Sequence, residues 1–332
     1  MTENQNSNWK QIDSFLADEG PYLVVSHVHP DGDAIGSTLA VGFMLKQLGK
    51  TVVMVNESPI PYKFRFLPEI DHVHSPEEIA YQAPFHRVIA VDVADAERMG
   101  EKVRQLFTDS VDLLNIDHHP TNDRFGTVNR VESEAAATAE ILCYWATHLG
   151  VNMDRYLATC LYTGLLTDTG GFRYSNTTPE VMELASGLLR QGVNPGEIAD
   201  RVIETTSRQQ LALLRCALDT LSFSEGEKVA WMWLTRENFQ ETGANEEDSD
   251  GIVNYARNVV GVDVGILFRE TEDATIKVSL RSREIVDVGK LAQTLGGGGH
   301  ARAAGCTLSG SRDEVEQTIL NKVSMALGQG GI

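Results

Sequence analysis

The chain has 332 residues, 42% hydrophobic and 23% charged, the composition of an ordinary folded protein long enough for two domains. Its 47 acidic residues stand against 28 basic ones, a formal net charge of −19. That balance excludes long duplex nucleic acid as a partner of the general surface, since phosphate contacts need clustered Lys and Arg; it leaves a small anionic substrate in a locally positive cleft.

No apolar stretch approaches the ~20 residues that span a bilayer. The polar start Met1–Trp9 lacks the apolar core of a signal peptide. Four scattered cysteines (Cys143, Cys160, Cys216, Cys306) form no CxxC pair and read as reduced thiols in or near a core. A cytoplasmic enzyme with no membrane partner fits these features.

In chain order, Tyr22–His27 is a predicted strand, followed by a turn and a helix over Ala34–Leu48 with apolar Ile35, Leu39, Phe43 and Leu48. Strands follow at Thr51–Asn56, Arg87–Val93 and Val111–Asp117. Their runs of Val, Ile and Leu with little polar alternation predict parallel strands covered on both faces. Helices are predicted over Glu134–Leu149, Met153–Thr167, Pro179–Gln191 and Ser207–Leu221. Beyond them come strands at Lys228–Thr235 and Val262–Arg269, with a short helix over Asp250–Asn258. The acidic run Glu246–Asp250 before that helix reads as a solvated loop with a cap. In Ala274–Arg283, Ile276, Val278 and Leu280 alternate with Lys277, Ser279, Arg281 and Arg283. Period 2 sends the apolar set to a core and the cations to the opposite face. A helix near Val286–Leu295 leads into Gly296–Gly299, His300 and Ala303-Ala304-Gly305.

The expected fold is α/β: a larger N-terminal domain with a parallel sheet flanked by helices, a smaller C-terminal α/β domain, and the active site in the cleft between them. The expected boundaries are a catalytic domain over 1–195, a helical linker over 196–225 and a substrate-binding domain over 226–332.

Chemistry concentrates where apolar runs end. His27, Asp31 and Asp33 sit at i, i+4 and i+6 of a strand-to-helix turn, with Gly32 and Gly36 allowing close backbone approach. Asp92 closes one strand, and Asp117-His118-His119 closes another just before Pro120. Asp168 ends a buried helix, where the dipole disfavours an acid and a compensating cation would offset the cost. Singly these are common turn and cap residues. Together, carboxylates mixed with imidazole are what a pair of divalent ions requires. His29 and Asp95 read as loop and turn residues.

The order HxxxDxD, Asp, Asp-His-His, Asp, followed by LRSR (280–283), GGGGH (296–300) and AAG (303–305), resembles the DHH phosphoesterase superfamily with its DHH-associated C-terminal domain. Within it, length and domain order are similar to the bifunctional oligoribonucleases that also hydrolyse 3′-phosphoadenosine-5′-phosphate (pAp). The resemblance covers nearly the whole chain; one departure is His29, where such proteins often carry Asn.

It implies that His27, Asp31 and Asp92 hold one ion, and that Asp33, Asp92, His118 and Asp168 hold a second, with Asp92 bridging. Asp117 would orient a histidine or its loop, and His119 would contact the scissile phosphate, so Asp92, Asp117 and His119 form the catalytic group. Mixed Asp and His donors suit manganese better than magnesium, as the resemblance also implies. Arg281 and Arg283 offer bidentate bonds to phosphate. Gly297, Gly298 and Gly299 offer bare backbone, and His300 a further bond; a solvated strand face is the alternative for the arginines. Phe172, Arg173 and Tyr174 are placed to help hold a base. The implied substrates are very short RNA, cleaved to nucleoside 5′-monophosphates, and pAp, cleaved to AMP and phosphate. A homodimer is left open. Competing readings are a cyclic or linear dinucleotide phosphodiesterase, a pyrophosphatase (which GGGGH argues against) and a non-catalytic nucleotide-binding regulator.

Overall fold

A computed structural model describes residues 9–17, 19–224, 226–271 and 273–329; the polar start, residues 1–8, lies outside the described residues. The chain divides into two compact units, Met1–Thr205 and Thr206–Ile332. The division falls inside the stretch expected to be a linker. The short helix Pro195–Ala199 belongs to the first unit and the helix Arg208–Asp219 to the second.

The first unit begins with helix α1 (Trp9–Leu16) and alternates β1 (Tyr22–Val25), α2 (Gly32–Gln47), β2 (Val52–Val55), β3 (Val73–His74), β4 (Phe85–Val91), β5 (Phe107–Asp117) and β6 (Val128–Val131). Helices α3 (Thr138–Leu149), α4 (Arg155–Asp168) and α5 (Pro179–Arg190) follow. The sheet order is β3-β2-β1-β4-β5-β6 with every pairing parallel. The order reverses between β1 and β4, the switch point at whose carboxyl edge doubly wound sheets open a crevice. One apolar cluster joins Ile35, Leu39, Ile89, Leu114, Trp145 and Leu161, and another joins Leu23, Val55, Val88 and Leu113, so the sheet is covered on both faces as its composition predicts.

Three differences from expectation have local causes. Strands β3 and β6 went unpredicted because they are short, and β6 carries Asn129 and Arg130 in place of an apolar run. Helix α3 starts at Thr138 and not Glu134; residues 134–137 form the turn that turns its first N–H groups towards Asp33.

The second unit comprises α6 (Arg208–Asp219), β7 (Ser222–Phe223), β8 (Val229–Leu234), α7 (Arg236–Thr242), α8 (Val253–Arg257), β9 (Val264–Glu270), β10 (Thr275–Ser282), α9 (Val288–Gln293), β11 (Gly298–His300), β12 (Ala303–Ser309) and α10 (Arg312–Gln329). Its sheet runs β11-β12-β10-β9-β8-β7, antiparallel apart from the parallel pair β8 and β9. Ile276, Val278 and Leu280 of β10 are buried with Val264, Ile266 and Phe268 of β9, as the alternation predicts. The acidic run is more than a solvated loop: Glu246 pairs with Arg269 at 2.9 Å, and Asp248 accepts from Ser207 at the start of α6. Among the described residues, no helix is long and apolar enough to cross a membrane.

Candidate metal centre

The ends of β1, β4 and β5 meet at the switch point, and each delivers acidic or imidazole groups. Beyond β1, the His27 Nδ1 lies 2.8 Å from the carbonyl oxygen of Val28. A carbonyl can only accept, so Nδ1 carries the proton and the lone pair of the neutral ring sits on Nε2. That atom lies 3.4 Å from Asp92 Oδ2 and 4.0 Å from Asp31 Oδ1. Asp31 also caps α2, its Oδ1 accepting from the Asp33 and Ala34 N–H groups at 3.0 Å.

His118, after β5, repeats the device. Its Nδ1 donates to the Ala135 carbonyl at 3.2 Å, and its Nε2 lies 3.1 Å from Asp168 Oδ2, 3.6 Å from Asp92 Oδ1 and 3.9 Å from Asp33 Oδ2. Asp92 therefore presents Oδ2 to one imidazole and Oδ1 to the other. Its backbone is left-handed (φ 59°), a conformation Asp tolerates better than most residues.

Asp33 is fully buried and takes N–H bonds from Thr138 (2.6 Å) and Ala139 (3.0 Å), with the Ser37 hydroxyl at 3.2 Å. The positive end of α3 thus faces this carboxylate. Gly164 of α4 makes room for it, because a Cβ there would lie 2.5 Å from Asp33 Oδ1.

The electrostatics ask for cations. Burial and the neighbouring Asp92 and Asp168 push the Asp33 carboxyl well above the usual range. Burial, with Asp31 beside it, raises Asp168 to about 6. Burial works against ionisation of Asp92 too, but its bond to His27 and the surrounding histidines hold it well below the usual range. His118, although burial opposes its charging, is raised by Asp168, Asp92 and Asp33. Four carboxylates converging on two imidazoles whose Nε2 atoms face them are a donor set suited to divalent cations. Among the described residues, groups close enough to share an ion include His27, Asp31 and Asp92; Asp33, His118 and Asp168; and Asp92, Asp117 and His119.

Asp117 and His119 form a pair beside Asp92, whose Oδ1 lies 3.6 Å from the His119 Nδ1. Asp117 Oδ1 accepts from His119 Nδ1 at 2.8 Å, and its Oδ2 accepts from Asn122 at 2.7 Å. The residues that brace the cluster escaped sequence reasoning. Asn122 also donates to Asn115 and Val93; Asn56 holds the Ser26 hydroxyl and the His27 carbonyl; Thr138 Oγ1 donates to Asp92 Oδ1 at 3.1 Å. The available signal was a polar Asn115 inside the apolar strand Leu113–Ile116. His29 stands exposed with φ 54°, its N–H bonded to Ser58.

The C-terminal residues lie in the second unit. Arg281 is half-buried on β10, one Nη donating to the Leu280 carbonyl at 3.0 Å. Arg283, just past the strand, donates through Nε and Nη2 to the carbonyls of Arg257 and Asn258, both at 3.2 Å, closing the C-terminus of α8. The glycine run is not an open loop, since Gly298–His300 pairs with Ala303–Gly305. A Cβ at Gly297 or Gly299 would strike the chain itself, at 2.1 Å from the Gly305 carbonyl and 2.5 Å from that of Ala303, whereas Gly298 faces open space. His300 ends β11, half-buried. In the first unit, Tyr174 is exposed and Phe172 packs against Tyr162, while Arg173 donates to the Gly170 carbonyl at 2.6 Å.

Fold and site together define an α/β protein of two compact units, the first carrying an acidic, histidine-bearing cluster suited to cations at its sheet switch point. Residues 21–165 match the DHH family, N-terminal domain, and residues 226–329 match the DHHA1 domain. The chain is 39% identical over 315 residues, 94% of its own length and 92% of the other's, to the bifunctional oligoribonuclease and PAP phosphatase NrnA of Thermus thermophilus. It is 28% identical over 298 residues to the Bacillus subtilis protein of the same description, covering 88% of this chain and 90% of that one. Among solved structures, an exopolyphosphatase-related protein from Bacteroides fragilis superposes with a TM-score of 0.84 at 25% identity, covering 97% and 96% of the two chains. The chain belongs to the DHH family, as its motif order implied.

Proposed function

We propose that the chain is a metal-dependent phosphoesterase that hydrolyses short oligoribonucleotides to nucleoside 5′-monophosphates and pAp to AMP and phosphate. The observation that carries this reading is Asp92, whose two oxygens face separate His and Asp donor sets, in a chain 39% identical to a relative described by those two activities. His27, Asp31 and Asp92 would hold one divalent ion, and Asp33, Asp92, His118 and Asp168 a second. The mixed donors favour manganese. Bound there, a pair of divalent ions supplies an acidified water and neutralises charge on the phosphoryl oxygens.

The protein's own groups orient the reaction. Asp117 fixes the His119 Nδ1–H and keeps the ring from swinging, so that in the imidazolium form the Nε2–H would donate to a phosphoryl oxygen. Arg281, Arg283, the open backbone at Gly298, and His300, with Gly297 and Gly299 shaping the strand, would take the substrate's other phosphate and sugar. Both substrates present a phosphorus ester beside a nucleotide held by a second phosphate, so one site serves both. Four free cysteines support a cytoplasmic location.

The test is a panel on purified protein with Mn²⁺: pAp, RNA of two to five nucleotides, cyclic di-AMP and pyrophosphate, compared by kcat/KM. The reading expects pAp and short RNA to lead. Preferred turnover of cyclic di-AMP or pyrophosphate would overturn it, and the absence of any turnover would leave a nucleotide-binding protein.

A further inference from the structure

The segment Ser58–Phe66, SPIPYKFRF, follows the carboxyl end of β2 and so leaves the sheet at the same edge as the cation site. Both ends of its first seven residues are tied to the turn that bears Asp31 and Asp33. Ser58 Oγ accepts from the His29 N–H at 2.9 Å, and the buried Phe64 ring lies 3.0 Å from where a Cβ on Gly32 would sit.

Between these anchors Pro61 introduces a single 3₁₀ turn, Tyr62–Phe64, which sends Phe64 inwards and leaves Tyr62 76% exposed. Cations surround that turn. Lys63 Nζ sits 5.1 Å over the Phe64 ring, Arg65 is exposed, and the Arg201 guanidinium lies 5.3 Å over Phe66 while pairing with Glu197 at 3.5 Å. The flanking acids are engaged elsewhere: Glu57 accepts from the Val103 N–H and Glu69 pairs with Lys46. In a chain of net charge −19, an exposed ring among cations beside an acidic centre calls for an anionic, aromatic ligand.

Tyr81 provides the contrast. It is 84% exposed, but it precedes the amino end of β4, at the opposite sheet edge, and its hydroxyl accepts from Gln82.

We propose that this loop is the subsite for a second nucleotide of an oligoribonucleotide, Tyr62 stacking on the base and Lys63 and Arg65 holding the adjoining phosphate. Base stacking on an aromatic side chain beside a cationic track is the general solution for single-stranded nucleic acid. The proposal rests on the reading of the chain as a short-RNA phosphoesterase. It makes length selection a property of the loop, since pAp has one base and none to place on Tyr62.

The test is steady-state kinetics of the full chain with Mn²⁺ on an RNA trinucleotide and on pAp, together with fluorescence anisotropy of a phosphorothioate-linked trinucleotide. Tyr62→Ala is expected to raise trinucleotide KM and weaken its binding by about 5–100-fold while sparing pAp, and Tyr62→Phe to restore both. Lys63→Ala with Arg65→Ala is expected to flatten the salt dependence of trinucleotide binding, and Tyr81→Ala to change nothing. Trinucleotide KM and binding left unchanged by Tyr62→Ala, or an equal loss for pAp, would overturn the subsite. A wild-type protein that cleaves neither substrate overturns the underlying activity instead; the anisotropy measurement still decides the loop.

Discussion

In the N-terminal unit Asp33 is sealed from solvent and held by two backbone N–H groups, whereas in the C-terminal unit Arg283 stands exposed and bonds two carbonyls of its own fold. Most candidate cation ligands at the sheet edge are buried, and three are fixed by bonds that leave a defined atom facing inwards: Nδ1–H of His27 and His118 to carbonyls, and Asp33 to two backbone N–H groups; Asp31, at the cap of α2, is exposed. The candidate phosphate ligands on and after β10 are long, partly solvated side chains. Metal coordination tolerates errors of tenths of an ångström and so needs buried, braced donors. Phosphate recognition by guanidinium can be assembled when the ligand arrives.

If the contrast holds, the largest effect comes from the shared carboxylate. Asp92→Asn suits the left-handed backbone and should leave the far-ultraviolet circular dichroism unchanged, yet lower hydrolysis of every substrate by about 10³-fold or more and abolish one step of Mn²⁺ binding in calorimetry. Retained turnover would remove Asp92 from the centre.

Gly164→Ala, touching no substrate, should be the next most damaging change. Its methyl would lie 2.5 Å from Asp33 Oδ1 and 2.7 Å from the Ala139 Cβ, so Mn²⁺ affinity should fall about tenfold and stability by about 1–3 kcal/mol. Unchanged metal affinity would mean that the pocket is less rigid than the contrast requires.

Arg281→Ala with Arg283→Ala should chiefly raise KM. Arg283→Ala alone should also lower Tm, because two carbonyls at the end of α8 lose their donor, a loss of about 1 kcal/mol. An unchanged KM in the double variant would return that strand face to solvent.

The smallest effect is on pH. Asp168, raised to about 6 from 3.8, keeps a proton in the native state that the unfolded chain has released. Stability of the metal-free protein should therefore fall as pH rises between about 4 and 6, and the raised Asp33 and His118 act in the same direction at higher pH. Asp92 is shifted oppositely, so its contribution is lost only as pH falls below about 4. Thermal melts in EDTA should show Tm dropping by about 3–8 °C from pH 4.5 to 7.5, and added Mn²⁺ should recover more at the higher pH.

Much of this was legible in the residues. The apolar runs located β1, β2, β4 and β5, and the acidic or imidazole residues ending three runs are among those the fold brings together as candidate donors. The alternation around Leu280 placed β10 correctly. The braces were not legible: Thr138 reaches Asp92 across 46 residues and Asn56 reaches the His27 carbonyl across 29, and no local pattern announces either bond. The glycine run misled in part, because bare backbone suits a sheet neighbour as well as a ligand.

The amino-acid sequence by itself determined the candidate donor set, the order of its motifs and hence the family, since those depend on residue identity at short spacing. Only the tertiary structure decided that Asp92 faces two histidines with different oxygens, that α3 points its first N–H groups at Asp33, and that Arg283 closes a helix. The first two follow from the reversal of strand order between β1 and β4, which brings together groups up to 106 residues apart, and the third from the packing of β10 against α8 in the second unit.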